Sequence, residues 1–84
     1  MVNIYLFIEL LHTASAGATV ETLKALEIEN CKFANVVALS KEKIVAQLDC
    51  KDSASGNKAI LEKIAGVDGV VQTNIIAVVR PVKH

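Results

Sequence analysis

The chain alternates from its start. Val2, Ile4, Leu6, Ile8 and Leu10 fall on one side of an extended segment, and Asn3, Tyr5, Phe7, Glu9 and Leu11 on the other. The first set is wholly aliphatic and predicts a strand packed on helices. Residues 12–18, HTASAGA, are small and polar and read as a loop. Val20, Leu23 and Leu26 then recur at helical spacing, with Thr19 or a residue shortly before it as the cap and Glu29-Asn30 as the end. FANVVAL, residues 33–39, predicts a second strand, and Ser40-Lys41-Glu42 a polar turn. KIVAQLDC, residues 43–50, predicts a third strand with Ile44, Ala46, Leu48 and Cys50 inward. Asp52 or Ser53 caps a second helix with Ile60, Leu61 and Ile64 as its stripe and Gly66 as its end. Residues 70–79, bounded by Gly69 and Pro81, predict a fourth strand.

Strand, helix, strand, strand, helix, strand is the split βαβ plan. The expected fold is α+β and ferredoxin-like, one domain over residues 1–84, with a four-stranded antiparallel sheet and two helices on one face. Right-handed crossovers put strands one and three in the centre. The other face is then open. Strand four carries an irregularity there, because Gln72-Thr73-Asn74 sets three polar residues in a row inside an apolar segment. Strict alternation sends Val71, Thr73, Ile75, Ala77 and Val79 inward. It sends Gln72, Asn74, Ile76, Val78 and Arg80 to the open face, beside Tyr5, Phe7, Val45 and Gln47. Such a face is too apolar for water and too polar for a core. It reads as a subunit interface, with Tyr5, Phe7, Val45, Gln47, Ile76 and Val78 as its residues.

Composition narrows the partners. Hydrophobic residues make 52% of the chain and aromatics 4%, so the core is aliphatic. Nine Lys and Arg balance nine Asp and Glu, and Arg80 is the one arginine. A nucleic-acid surface is usually basic and arginine-rich, so direct DNA or RNA binding is not expected. No apolar run approaches the roughly 20 residues that span a bilayer. The start resembles an export signal in its apolar run and its Ala14-Ser15-Ala16. No Lys or Arg precedes that run, however, and Glu9 lies inside it, so a first strand is the reading preferred. The expected setting is cytoplasmic, with Cys31 and Cys50 reduced. Simple antiparallel pairing about a turn at Lys41 and Glu42 puts Phe33 opposite Cys50 and Cys31 just before it. A disulfide is conceivable there, but the inward position of Cys50 predicts a buried free thiol, with Cys31 also free.

Catalytic readings find little to stand on. Acylphosphatases share this plan but need an arginine in the loop after strand one, and residues 12–18 hold none. Heavy-metal domains need Cys-x-x-Cys in that loop, which has no cysteine. His12 has no His, Cys or carboxylate at ligand spacing, and His84 is terminal. RNA-recognition domains stack bases on aromatics of the central strands, and KIVAQLDC has none. No enzymatic activity, metal or cofactor is expected.

Residues 52–80, DSASGNKAILEKIAGVDGVVQTNIIAVVR, resemble the second half of the effector-binding (RAM) domain of Lrp/AsnC regulators. A helix leads to a Gly-Val step, here Gly69-Val70, and a strand with a Thr-x-Thr pattern follows, of which Thr73 matches the first threonine. Ser40 and Lys43 stand where the family has glycine and aspartate in the turn, and Ile75 where it has the second threonine. The resemblance implies a homo-oligomer, a dimer or larger, built through sheet faces, and an amino-acid-like effector bound between subunits. The family's DNA-binding helix-turn-helix is not in this chain. Ser40, Lys43, Thr73 and Asn74 are the candidate ligand residues, and the ammonium of Lys43 favours a carboxylate. The hairpin before Lys43-Ile44-Val45 and the Gly69-Val70 step also resemble NapD-type chaperones, which bind a signal peptide on an open sheet face.

Overall fold

The computed structural model describes residues 1–81; His84 lies outside the described residues. Four strands, β1 (Val2–Leu10), β2 (Cys31–Ser40), β3 (Lys43–Cys50) and β4 (Val70–Val79), form one antiparallel sheet in the order β2-β3-β1-β4. With its two helices the fold is α+β and ferredoxin-like, and β1 and β3 are central as expected. Among the described residues no helix is long and apolar enough to cross a membrane.

The alternation of β1 translates directly into burial. Val2, Ile4, Leu6, Ile8 and Leu10 are buried, and the residues between them are half-buried. β3 repeats the pattern with Ile44, Ala46, Leu48 and Cys50. Leu23 and Val20 from the first helix, and Ala59, Ile60 and Ile64 from the second, close the core from one side.

The first helix, α1 (Ala16–Ala25), begins earlier than the stripe implied. Ser15 caps it, its Oγ accepting from the Ala18 N–H at 3.3 Å. The second, α2 (Ser53–Ala59), is capped by Asp52, whose Oδ1 accepts from the Ser55 N–H at 2.7 Å. That bond to Ser55 holds the Asp52 carboxyl below its ordinary range. α2 continues as a π-helical turn over Ile60–Ile64, with the Ala65 N–H donating to the Ile60 carbonyl. Ile60 and Ile64 point into the core, but Leu61, expected in the stripe, is 76% exposed. Gly56 lies where α2 crosses the sheet, and a Cβ there would collide with Ile4. This close approach accounts for a glycine that costs helix propensity. Gly69 has φ of 89°, which glycine alone adopts without strain, and its carbonyl accepts from the Leu11 N–H at 2.8 Å.

Four bulges change what strict alternation implies. In β2 the pairing runs Ser40 to Lys43, then Ala38 to Ile44, so Leu39 is extra. Farther along, Asn35 pairs with Gln47 and Phe33 with Leu48, so Ala34 is extra. Each bulge moves the pairing by one residue. Together they bring Cys31, rather than Phe33, directly opposite Cys50. The two cysteines are joined in a disulfide, which corrects the expectation of two free thiols. Cys50 is buried as expected, and its partner arrives because the bulges draw β2 along.

In β4 the extra residues are Val71 and Ile76. Thr73 and Ile75 pair with Ile8 and Leu6 on the helix side, and Gln72 and Asn74 with Glu9 and Phe7 on the open side. Beyond Ile76 the phase reverses. Ala77 pairs with Tyr5 and Val79 with Asn3, while Val78 pairs with Ile4. Val78 therefore belongs to the helix side, not to the open face where alternation put it. Arg80 follows it there and donates to the Ser53 Oγ at 2.9 Å.

The bridge closes a loop across a sequence separation of 19, which stabilises the fold by about 3 kcal/mol on loop-closure grounds. Alkylation of the denatured protein without reductant, followed by mass spectrometry, is expected to label no thiol, and two after reduction. Labelling without reductant would refute the pairing.

Candidate functional site

The open face is a lattice of four rows that follows from the pairing. From β2 to β4 they read Lys32–Asp49–Asn3–Val79, Asn35–Gln47–Tyr5–Ala77, Val37–Val45–Phe7–Asn74 and Ser40–Lys43–Glu9–Gln72. The middle of the face is Gln47, Tyr5, Val45 and Phe7, all half-buried without a helix above them. Charge sits at the two ends of the central strands. Lys43 lies beside Glu9 at one end and Lys32 beside Asp49 at the other, so the face is neutral as a whole.

Polar groups on the face are tied within their strands. Gln47 donates through Nε2 to Asp49 Oδ1 at 2.9 Å, and Gln72 through Nε2 to Asn74 Oδ1 at 3.2 Å. The second bond explains two of the three consecutive polar residues: Gln72 and Asn74 lie on the open face and satisfy each other. The Lys43 ammonium stands 5.9 Å from the Phe7 ring centroid, within cation–π range.

Of the expected interface residues, Tyr5, Phe7, Val45 and Gln47 are together at the centre. Ile76 is a bulge residue at the edge, 58% exposed. Val78 is 44% exposed on the other side of the sheet, where the helical layer meets β4 mainly at the π turn. Of the expected ligand residues, Ser40 and Lys43 are direct partners at the end of the β2–β3 hairpin. Asn74 shares their face but stands on β4, two strands from Lys43, about 10 Å at ordinary strand spacing. Thr73 is on the opposite side, paired with Ile8. Successive residues of a strand point to opposite faces, so Thr73 and Asn74 do not meet one ligand on this sheet.

Sequence reasoning overlooked Glu9, although its parity places it on the open face. It completes a row of hydroxyl, ammonium, carboxylate and amide with Ser40, Lys43 and Gln72. It also overlooked two open grooves beside the disulfide, of about 680 and 840 Å³, which share Cys31, Lys32, Phe33 and Ala34. Ala34, the extra residue of one β2 bulge, lines both grooves, and its sequence gives no sign of a bulge. His12, considered as a base, pairs through Nδ1 with Glu42 Oε1 at 2.9 Å on the surface. An exposed pair of this kind is worth ~1 kcal/mol or less.

No family model matches this chain, and neither a curated protein nor a solved structure matches it. The resemblances to RAM domains and to NapD-type chaperones thus rest on the residues quoted for them.

Thr73 permits a direct test of its place. Its Oγ1 is buried and has no hydrogen-bond partner among the described residues. An unsatisfied buried hydroxyl is a cost, and valine keeps the shape without it. Thr73→Val is expected to leave stability unchanged or to raise it by up to about 1 kcal/mol in denaturant unfolding. A loss of more than that would mean that the hydroxyl holds a structural bond.

Proposed function

We propose that this chain is an assembly and effector-sensing domain that acts through its open sheet face. The observation that carries the reading is the uncovered centre of that face, where Tyr5, Phe7, Val45 and Gln47 lie half-buried between neutral, charge-paired ends. Water is a poor solvent for such a centre, and a partner surface of mixed polarity is a good one. The effector fits at the Ser40–Lys43–Glu9 end of the face. There an ammonium and a carboxylate stand side by side, matching the two charges of an amino-acid-like molecule. The disulfide favours an oxidising compartment over the cytoplasm expected from the N-terminus.

Light scattering on the purified protein is expected to give a dimer or larger at micromolar concentration. Tyr5→Glu should shift it to monomer by putting a charge into a desolvated contact. A wild-type monomer would remove the reading and leave a peptide as the better candidate partner.

Thermal-shift screening tests the effector. Amino acids or small organic acids should raise the melting temperature of the wild type. Lys43→Ala should abolish the rise and Thr73→Val should preserve it. A flat response to all of them sinks the effector half of the reading and leaves assembly standing.

A further inference from the structure

The charge pattern of the open face identifies its partner more closely. Building on the assembly reading, we propose that this face binds a second copy of the chain, stacked about a two-fold axis that runs along the strands between β3 and β1. Such an axis exchanges the two central strands. Each residue of β3 then lies over the β1 residue of its own row in the second copy.

The chemistry of three of the four central rows fits that exchange. Lys43 comes over Glu9 of the second copy, cation on carboxylate. Val45 comes over Phe7, apolar on apolar. Gln47 comes over Tyr5, and here the existing bond matters: the Gln47 Nε2 is engaged by Asp49, which leaves Oε1 to accept from the Tyr5 hydroxyl. Two-fold symmetry makes each contact twice. Stacked sheets keep their strands within about 30° of each other, which this axis satisfies.

The other aligned arrangement has its axis across the strands. It brings Lys43 over Asp49 but sets the amide of Gln47 against Val45, so the Gln47 Oε1 is covered by an apolar side chain instead of the Tyr5 hydroxyl. A face charged with one sign would repel its own copy. This face carries Lys32 and Lys43 against Glu9 and Asp49, so self-association meets no net repulsion.

The arrangement is tested between chains, because Lys43 and Glu9 also adjoin within one chain. Lys43→Glu gives a face with two carboxylates at that end, and Glu9→Lys a face with two ammoniums. Each variant alone should bind itself about tenfold or more weaker than the wild type by sedimentation. Mixed in equal amounts, with one partner isotopically labelled, they should form a heterodimer by native mass spectrometry. In the mixture both cross-chain contacts become attractive again. Circular dichroism checks that each variant folds. If a reversal does not, Lys43→Gln and Glu9→Gln replace it, and each should weaken the dimer severalfold; unchanged affinity would overturn the proposal. Failure of the reversal mixture to pair, while the wild type dimerises, overturns the axis and leaves the assembly reading intact. So does a Lys43→Glu protein that dimerises like the wild type. A wild type that stays monomeric overturns both.

Discussion

Everything in this fold follows from burying one aliphatic face of β1 and β3. Nine side chains from Val2 to Cys50 point to the same side and are almost wholly removed from water. At roughly 25 cal/mol per Å² of apolar surface, that layer supplies the main favourable term of a chain this small. Two short helices provide the cover. The chain has enough apolar helix surface for one face of the sheet, and the second face is left to solvent or to another molecule. The half-buried centre around Tyr5 and Phe7 is thus a consequence of the core and of the number of helices.

Strands with a strict period of two were legible. β1 and β3 appear in the sequence with their faces correctly sorted, because a one-residue slip in either would turn its aliphatic set to water. The edge strands were not legible to the same degree. β2 and β4 each pair on one side only, so an extra residue costs one set of ladder bonds at most, and each strand accepts two. Ala34, Leu39, Val71 and Ile76 carry no glycine or proline to announce a bulge. Parity counted across them therefore fails: between Val71 and Ile76 the faces of β4 are as alternation gives them, and beyond either bulge they are exchanged.

The consequences of those silent residues reach the chemistry. Two bulges in β2 turn a near miss into a Cys31–Cys50 pair, and the pair bears on the compartment in which the chain can work. One bulge in β4 removes Val78 from the open face and brings Ala77 and Val79 onto it. The candidate ligand set was weakened by a different cause. Thr73 entered the set through the family resemblance, and it faces the helices while Asn74 faces the open side, so the sheet stands between them. Ser40 and Lys43 lie side by side because they flank a turn, where sequence neighbours do share a face.

A bulged edge and a regular centre divide the labour of the surface. Bulges blunt an edge against pairing with foreign strands, since they interrupt the row of free backbone groups that such a strand would match. β4 needs that protection: it carries no charged residue from Val70 to Val79 and has a free edge. With its edges made irregular, the ordered part of the exposed surface is the four-by-four lattice of the open face. Recognition by side chains on a regular lattice depends on register, and register here is fixed by the buried pairing of β1 with β3. The interaction that builds the core therefore also sets the spacing of Lys43, Val45 and Gln47 against Glu9, Phe7 and Tyr5, on which any self-complementarity of the face rests.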